Sequence, residues 1–404
     1  MKRFFLVIFT VVAVFFITAC SNKNQGGNDS GKQVLNVFNW GEYIGLDPVT
    51  INGVTYDNVI DAFEKIYNVK VNYETFDSNE AMYTKLIAGD ARYDVIIPSD
   101  YMIERLIKQD RLNKIDFSLI PNYSLISQDI VNKLDEEYPD IEMNDYVVPY
   151  FYGTVGILYD KTKVTKTVDS WSILWDEDYK KKIFMYDSQR DSLMVALKLL
   201  GYSMNTHDLD ELQQAKEKLI EQKPLVYAYV GDSVIQQMID GEAYLAVVYS
   251  GDAAYIMDNN PNMSFAIPKE GTNFWIDSMV IPKTSQNVEL AHKFINFMIS
   301  PEIARANTEY VMYTTPVEQV FNEVIEEDWA NNYAYNPTII DVFGGNIQTE
   351  VFRDPGDFIK EYDKIWSEVL SPERNYIVPI VIGGVVIIGL VAYLVLKKRK
   401  NRVY

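Results

Sequence analysis

The chain has 404 residues, 48% of them hydrophobic and 13% aromatic, which is enough for a large buried core and suggests two domains. Its formal net charge of −20 argues against nucleic acid or an anionic membrane surface as the main partner. Seven basic residues lie at the two ends, so the body between them carries −27. An acidic body attracts cations, although solubility alone also explains such a charge.

The first nineteen residues predict an export signal, because Lys2 and Arg3 precede an apolar run and a small-residue end. The sequence "ITAC" resembles a bacterial lipobox, so Cys20 is the expected lipidation site, with an uncleaved anchor helix as the alternative. Cys20 is the only cysteine in the sequence and therefore has no disulfide partner. The polar, glycine-rich residues 20–33 predict a flexible tether.

The next segments alternate between strand and helix patterns. The stretches "VLNVFNW", "VKVNYETF" and "YDVIIPSD" predict strands, and "YDNVIDAFEKIYN" and "SNEAMYTKLIAGD" between them predict helices. A βαβαβ order favours parallel pairing and an α/β fold.

The middle of the body continues the α/β pattern. A strand–turn–strand stretch "YVVPYFYGTVGILYD" precedes the helix "DSLMVALKLLGYS", and "GEAYLAVVYSGDAAYIM" predicts a buried strand that leads into a helix. The stretch "FAIPKEGTNFWIDSMVIP" is strand-like, and the closing portion is largely helical.

The far end predicts a transmembrane helix over residues 376–396, because "YIVPIVIGGVVIIGLVAYLVL" is apolar over about 20 residues. The basic residues 397–404 that follow favour a cytoplasmic tail. We therefore expect the body to face the extracytoplasmic side of a cell membrane, held by a lipid anchor and by this helix.

Motifs for catalysis are missing from the sequence. It contains no glycine-rich phosphate loop, no H-E-x-x-H and no G-x-S-x-G. The two histidines, His207 and His292, are expected at the surface, so we expect no metal, no cofactor and no histidine-based enzyme. A hydrolase that uses paired acids stays open, because sequence does not give the distance between two carboxylates.

Aromatic residues and carboxylates recur together where predicted strands end. In an open α/β sheet, ligands bind beyond the carboxyl ends of the strands, so these clusters are expected to share one cleft. Aromatic faces attract an ammonium group by about 0.5–2 kcal/mol per contact, and carboxylates give it charge-assisted hydrogen bonds. The clusters contain Trp40, Glu42 and Tyr43; Ser99, Asp100 and Tyr101; Asp187 and Asp191; Tyr249 and Asp252; Trp275 and Asp277; and Tyr313.

The ordered motifs "FNWGEYI", "YETFDSNEAMYTKL", "YDVIIPSDYMI", "VPYFYGTVGILYD", "FWIDSMVIP" and "YTTP" resemble those of the spermidine/putrescine-binding proteins. The resemblance covers about residues 34–370. It implies a two-lobed fold of the periplasmic-binding-protein type II, with a ligand cleft between the lobes. Lobe 1 would comprise residues 34–148 and 275–321, and lobe 2 residues 149–274 and 322–372. The function implied is that of a receptor that delivers spermidine or putrescine to an ABC permease with a cytoplasmic ATPase.

The resemblance also implies a set of ligand contacts. These are Trp40, Glu42, Tyr43, Ser99, Tyr101, Asp187, Asp191, Tyr249, Trp275, Asp277, Tyr313 and Gln348.

This sequence departs from the family pattern at several of these positions. Gly41 and Asp100 stand where members have Thr, Ser188 replaces an Asp, and Asp191 is shorter than the family's Glu. These departures leave the choice between spermidine and putrescine open. Two alternatives also stay open: a receptor of the same fold for another cationic solute or an amino acid, and a surface-anchored hydrolase.

Overall fold

The computed structural model describes residues 31–89, 92–326, 332, 334–335 and 347–371. The predicted export signal, Cys20, the membrane helix and the basic tail lie outside these residues. Within the described ranges, no helix combines the length and the apolar composition that crossing a bilayer requires.

The first part of the chain forms a parallel three-stranded sheet, as its βαβαβ pattern predicts. The central strand pairs in parallel with a strand on each side, in the order β4-β1-β5. The elements are β1 (Val34–Trp40), β2 (Val49–Ile51), β3 (Val54–Tyr56), α1 (Val59–Tyr67), β4 (Lys70–Phe76), α2 (Asn79–Ala88), β5 (Val95–Ile96), α3 (Asp100–Lys108), β6 (Leu112–Asn113) and α4 (Gln128–Glu137).

Side-chain caps explain where several of these helices begin. The Asn58 side chain accepts from the Asp61 N–H at the start of α1, and the Ser78 side chain accepts from the Ala81 N–H at the start of α2. Each bond satisfies a backbone donor that has no partner inside its helix. The helix predicted for "SNEAMYTKLIAGD" is thereby confirmed, with Ser78 as its N-cap.

The second part of the chain is built on a seven-stranded mixed sheet. Its order is β14-β12-β7-β10-β8-β9, with β11 also paired to β7. The elements are β7 (Val148–Asp160), β8 (Ile183–Tyr186), α5 (Gln189–Leu199), α6 (Leu209–Gln222), β9 (Val226–Val230), α7 (Val234–Ile239), β10 (Leu245–Tyr249), α8 (Ser250–Asn259), β11 (Met263–Ala266), β12 (Thr272–Met279), β13 (Ile281–Pro282), α9 (Val288–Met298), α10 (Pro301–Val311), α11 (Glu318–Val324), β14 (Thr349–Glu350) and α12 (Ile359–Leu370).

Strand β12 connects the two sheets. It pairs antiparallel with β7 and has a bulge between Asp277 and Ser278. Isolated bridges also join it to the segment after β5, between Ser99 and Asp277, and join Val280 beyond it to Ile96. The carboxyl end of the small sheet therefore lies directly against β12.

A buried charged network joins α3 to the segment before α12. The Glu104 side chain is only 1% exposed and accepts from Arg353 Nε at 3.1 Å and Nη2 at 2.8 Å. The Asp354 N–H donates to the same carboxylate at 2.8 Å, and Arg105 pairs with the Asp354 side chain at 2.6 Å. Burial alone would raise the pKa of Glu104, but hydrogen bonds from Arg353 and Lys108 lower it overall.

The expectation of a surface position is wrong for His292. This side chain is 1% exposed: its Nε2 accepts from the Asp116 N–H at 2.9 Å, and its Nδ1 bonds the Val288 carbonyl at 2.7 Å. His292 is therefore a core residue that satisfies two backbone groups. His207 is exposed, as expected, and stacks on Phe358.

We expect Glu104→Gln to lower the free energy of unfolding by about 3 kcal/mol, because it leaves Arg353 without its buried carboxylate. Urea denaturation at pH 7 measures this change. Glu289→Gln is the control, because its partner Lys293 is one turn away on an exposed helix face, and it should leave stability unchanged. Equal stabilities for the two variants would contradict the network's role.

Candidate binding site

The first end of the site is built around Asp277. Trp275 and Asp277 are two residues apart on β12 and so point to the same face of the sheet. The Tyr43 hydroxyl donates to Asp277 Oδ2 at 2.9 Å, and Asp277 is 6% exposed. Ser99 lies opposite Asp277, and its Oγ accepts from Asn79 Nδ2 at 3.1 Å. The Ser99 O–H is therefore not used as a donor in that bond.

Five aromatic side chains form a continuous edge-to-face row, which we call the ring wall. Adjacent ring centroids lie 5.6, 5.2, 6.0 and 5.1 Å apart, with interplanar angles between 68° and 86°. Edge-to-face contacts stabilise such rows by about 0.5–1.5 kcal/mol per pair. In order, the ring wall consists of Tyr43, Tyr313, Trp275, Tyr249 and Tyr186.

Two glycines allow the rings of the wall to lie against the backbone. A Cβ at Gly153 would lie 2.7 Å from Trp275 Cζ2 and 2.4 Å from Ser250 Oγ, and a Cβ at Gly251 would lie 2.3 Å from Tyr313 Cδ1. Real Cβ atoms do not approach so closely, so any larger residue would displace a ring. The position of the ring wall thus depends on these two residues.

Four tyrosines of the wall each donate to a carboxylate, and for Tyr186 this carboxylate is the exposed Asp232, at 3.5 Å. Besides Tyr43 and Asp277, the Tyr313 hydroxyl donates to Asp252 Oδ1 at 3.0 Å and the Tyr249 hydroxyl to Asp191 Oδ2 at 3.0 Å. Asp191 is 4% exposed on α5, behind the Ser188 cap, and Asp252 is half-buried on α8. Acids therefore alternate with rings along one surface.

Burial dominates the electrostatics of these acids. It raises the pKa of Asp277 to about 7, opposed by hydrogen bonds from Ser99 and Tyr43. It also raises the pKa of Asp252 to about 7, opposed by the Tyr313 hydrogen bond and assisted by the charges of Asp232 and Glu42. Burial likewise raises the pKa of Asp191. These carboxyls need either a proton or a cation at neutral pH.

Several buried atoms at the site lack a hydrogen-bond partner within the described residues. These atoms are Asp277 Oδ1, Asp191 Oδ1, Trp40 Nε1 and Trp275 Nε1. Buried polar groups in proteins are almost always bonded, so the two carboxylate oxygens are acceptors suited to a donor from a ligand. Within the described residues, no group of three or more histidine, cysteine, aspartate or glutamate side chains is placed to hold a metal ion.

Four other predicted contacts lie outside the ring wall. Half-buried Trp40 packs on Phe76 with 4.5 Å between ring centroids. Glu42 is exposed with a left-handed φ of 49°, and its charge raises the pKa of Asp252. Half-buried Tyr101 donates to Glu80 at 3.0 Å. Exposed Asp187 follows β8.

Gln348 is exposed, and its carbonyl accepts from Thr272 N at 3.0 Å. Thr272 begins β12, five residues before Asp277, so the structure brings Gln348 to the opposite end of that strand.

The set of predicted contacts omits Asp252 and Asp100, both of which the structure places beside the predicted acids. Asp252 stands three residues after Tyr249, in the first turn of α8, and this closeness to a predicted ring was a usable signal. Asp100 is 1% exposed behind Asp277. Asp100 belongs to the predicted strand-end cluster with Ser99 and Tyr101, but its contact with Ile276 has no local signal in the sequence.

The fold and the site together define a class of protein. The structure is a mixed α/β fold that matches solved periplasmic binding proteins, and its buried acids and rings lie along one surface. A model of the bacterial extracellular solute-binding protein family matches residues 58–337. The chain belongs to this family.

Relatives within the family are named for polyamines. The chain is 31% identical over 342 residues to the spermidine/putrescine-binding periplasmic protein of Salmonella typhimurium, covering 84% of this chain and 92% of the relative. It is 32% identical to the protein of the same name in Escherichia coli, covering 82% and 91%.

Two solved structures are similar to this chain in both sequence and fold. The spermidine/putrescine ABC transporter substrate-binding protein of Streptococcus pneumoniae is 34% identical and superposes with a TM-score of 0.67, covering 83% of this chain and all of that one. A lipoprotein of Treponema pallidum is 26% identical, with a TM-score of 0.69, covering 83% and 99%.

The raised pKa of Asp277 makes the ligand-free protein less stable as pH rises. A carboxyl with a raised folded-state pKa contributes stability that is present below its unfolded pKa and is lost as pH rises toward about 7. Asp277→Asn does not titrate, so between pH 5 and pH 8 it should gain about 2 kcal/mol of unfolding free energy relative to the wild type.

Urea denaturation without ligand at the two pH values measures this gain. Asp187→Asn is the control, because its carboxylate is exposed, and its difference from the wild type should be the same at both pH values. A pH-independent difference for Asp277→Asn would contradict the burial of an unpaired acid.

Proposed function

We propose that this protein is an extracytoplasmic receptor of an ABC importer that binds spermidine or putrescine. One observation carries the proposal: three carboxyls alternate with rings along the ring wall, each held by a tyrosine and none paired with a cation among the described residues. A flexible alkyl chain with ammonium groups complements this arrangement. Relatives that are 31–32% identical over most of the chain are named for these two polyamines.

Each part of the ligand has a counterpart in the site. Asp277 accepts from one ammonium through its unpaired Oδ1, and Asp191 with Glu42 serves the other end. Asp252, on the wall between them, provides a further acceptor. The rings of Trp40, Tyr249, Trp275 and Tyr313 cover the methylene groups, and burying each CH₂ stabilises the complex by about 0.8 kcal/mol.

The ligand lies in a cleft between two lobes in this proposal. Lobe 1 comprises residues 34–148 and 275–321, and lobe 2 residues 149–274 and 322–372. Support comes from the site itself, because Tyr43 and Ser99 follow strands of the small sheet, while Asp191 and Tyr249 belong to elements of the large one. Ligand contacts from both sides would draw the lobes together and mark the loaded receptor for the permease and its ATPase.

The receptor is held at the membrane in the same proposal. Lipidation at Cys20 and a helix over residues 376–396 would anchor its two ends, with the body on the extracytoplasmic side. The relative from Treponema pallidum is named a lipoprotein, which supports the first anchor. Two anchors would keep the receptor close to its permease and raise its effective concentration there.

An amino-acid receptor of the same fold is the second candidate and is less well supported. It would need a cationic side chain to hold the ligand carboxylate. Arg190, beside Asp191, already donates to Asn205 Oδ1 at 3.0 Å and stacks on Phe352 at 4.4 Å. A hydrolase would need two acids that both reach the bond to be cleaved. The acids described here bond to tyrosines of the wall instead.

Isothermal titration calorimetry tests the proposal with spermidine and putrescine at pH 8. We expect micromolar or tighter binding of at least one of them, and Asp277→Ala should weaken it by about 100-fold or more, since a buried ammonium would lose its carboxylate. Asp258→Ala is the matched control, because it removes an exposed carboxylate from α8 without touching the wall, and it should change affinity less than twofold.

Two results would count against this function. The absence of heat with either polyamine would remove the ligand class. Binding that survives Asp277→Ala unchanged would show that the polyamine lies elsewhere. A thermal-shift screen of amines and amino acids then distinguishes the second candidate, because a ligand that binds only the folded state raises its melting temperature.

A further inference from the structure

Asp100 is a buried acid that the account of ligand contacts does not use. It begins α3 and is 1% exposed. Its Oδ1 accepts from the Tyr101 N–H at 2.7 Å, and its Oδ2 accepts from the Ile276 N–H at 3.3 Å. One carboxyl therefore bonds the start of α3 and the backbone of β12 at the residue before Asp277.

The Ile276 amide matters because a buried backbone N–H needs a partner. Beyond Asp100, the same two segments meet again where the Ser278 N–H donates to the Pro98 carbonyl at 3.2 Å. The bridge between Ser99 and Asp277 lies between these two bonds. Residues 98–100 thus run beside residues 276–278, with the Asp100 side chain closing one end of the contact.

This contact coincides with the bulge in β12. The pairing of β12 with β7 shifts register between Asp277 and Ser278, so the β7 ladder alone fixes the backbone at Asp277 poorly. Residues 98–100 bond the backbone of β12 from the side opposite β7, through the Ile276 and Ser278 N–H groups.

We propose that Asp100 is a positioning residue for Asp277: by bonding the Ile276 N–H it holds β12 so that the Asp277 carboxylate faces the ligand ammonium beside Ser99. This inference rests on the proposed polyamine function, and it adds a role for a residue that does not contact the ligand.

The titratable groups around the Asp100–Asp277 pair come from four elements. Tyr43 lies after β1 and Tyr138 lies at the end of α4, with Asp100 itself on α3 and Asp277 on β12. Burial raises the pKa of Asp100 well above its usual range, and the charge of Asp277 raises it further. No cation is among the groups that shift either pKa.

Loss of the Asp100 side chain should therefore change Asp277 in one direction. It frees β12 so that water reaches the Asp277 carboxyl. Hydration lowers the pKa of Asp277, because water stabilises its ionised form.

Asp100→Ala removes the constraint, and Asp94 provides a matched control. Asp94 is also a buried acid, 2% exposed, and it accepts from the Asn36 N–H at 2.9 Å and the Ser285 hydroxyl at 2.8 Å. It lies near the opposite end of β1 from Trp40 and Tyr43. Asp94→Ala removes more bonds than Asp100→Ala does, because Asp94 also accepts from the Gln286 and Asn287 N–H groups, and it destabilises the fold without touching the site.

Calorimetry with spermidine between pH 5.5 and 8.5 is the test. For Asp100→Ala we expect Kd at pH 8 to rise about tenfold, since one buried backbone donor beside Asp277 is left unpaired. The midpoint of the pH dependence of affinity should also move to lower pH. Asp94→Ala should keep both Kd, within twofold, and the midpoint of the wild type, even where its melting temperature falls.

Infrared titration of the Asp277 carboxyl in ligand-free protein keeps the inference testable if no polyamine binds. The band is assigned from the difference between the wild type and Asp277→Asn, and its midpoint should fall in Asp100→Ala. If Asp100→Ala does not fold, Asp100→Asn replaces it, because it keeps an oxygen for Tyr101 but presents an amide to the Ile276 N–H. An unshifted Asp277 titration, or equal Kd changes in the Asp100 and Asp94 variants, would overturn the proposal.

Discussion

The structure depends on one constraint: carboxyl groups are buried along an aromatic surface without a cation. No salt bridge in the described part of the chain involves Asp277, Asp252 or Asp191. An ionised carboxylate that is removed from water without a partner is strongly destabilised, so these groups take up a proton or bind a cation. The ring wall strengthens the second choice, because its rings attract an ammonium group and exclude water from it.

The fold holds these acids and rings along one surface. Strand β12 carries Trp275 and Asp277 on one face and contacts both sheets, so small displacements of either sheet reach the site. Gly153 and Gly251 let two rings lie directly on the backbone. The tyrosine hydroxyls donate to a carboxyl group whether or not it carries a proton, so these bonds hold the carboxyls in place in either protonation state.

Much of the fold was predictable because its signals are local. Alternating strand and helix patterns gave the parallel β1, β4 and β5, and the cap at Ser78 marked the start of α2. The acids and rings at strand ends were recognisable for the same reason, since the carboxyl ends of strands meet at one edge. Long-range partners were not predictable. His292 is buried because it bonds Asp116, which is 176 positions away, and Gln348 is placed by its bond to Thr272. The contact between Asp100 and Ile276 also leaves no trace in the local pattern.

In the proposed function a ligand cation takes the place of protons on these buried acids, so binding should release protons into the buffer. Calorimetry with spermidine at pH 6.5, in two buffers of different ionisation enthalpy, gives the number of protons released. With Asp277 and Asp252 both titrating at about 7, binding should release between one and two protons at pH 6.5, and close to none at pH 8.5. Binding with no proton release at pH 6.5 would show that the acids are already ionised in the empty site and would contradict the account.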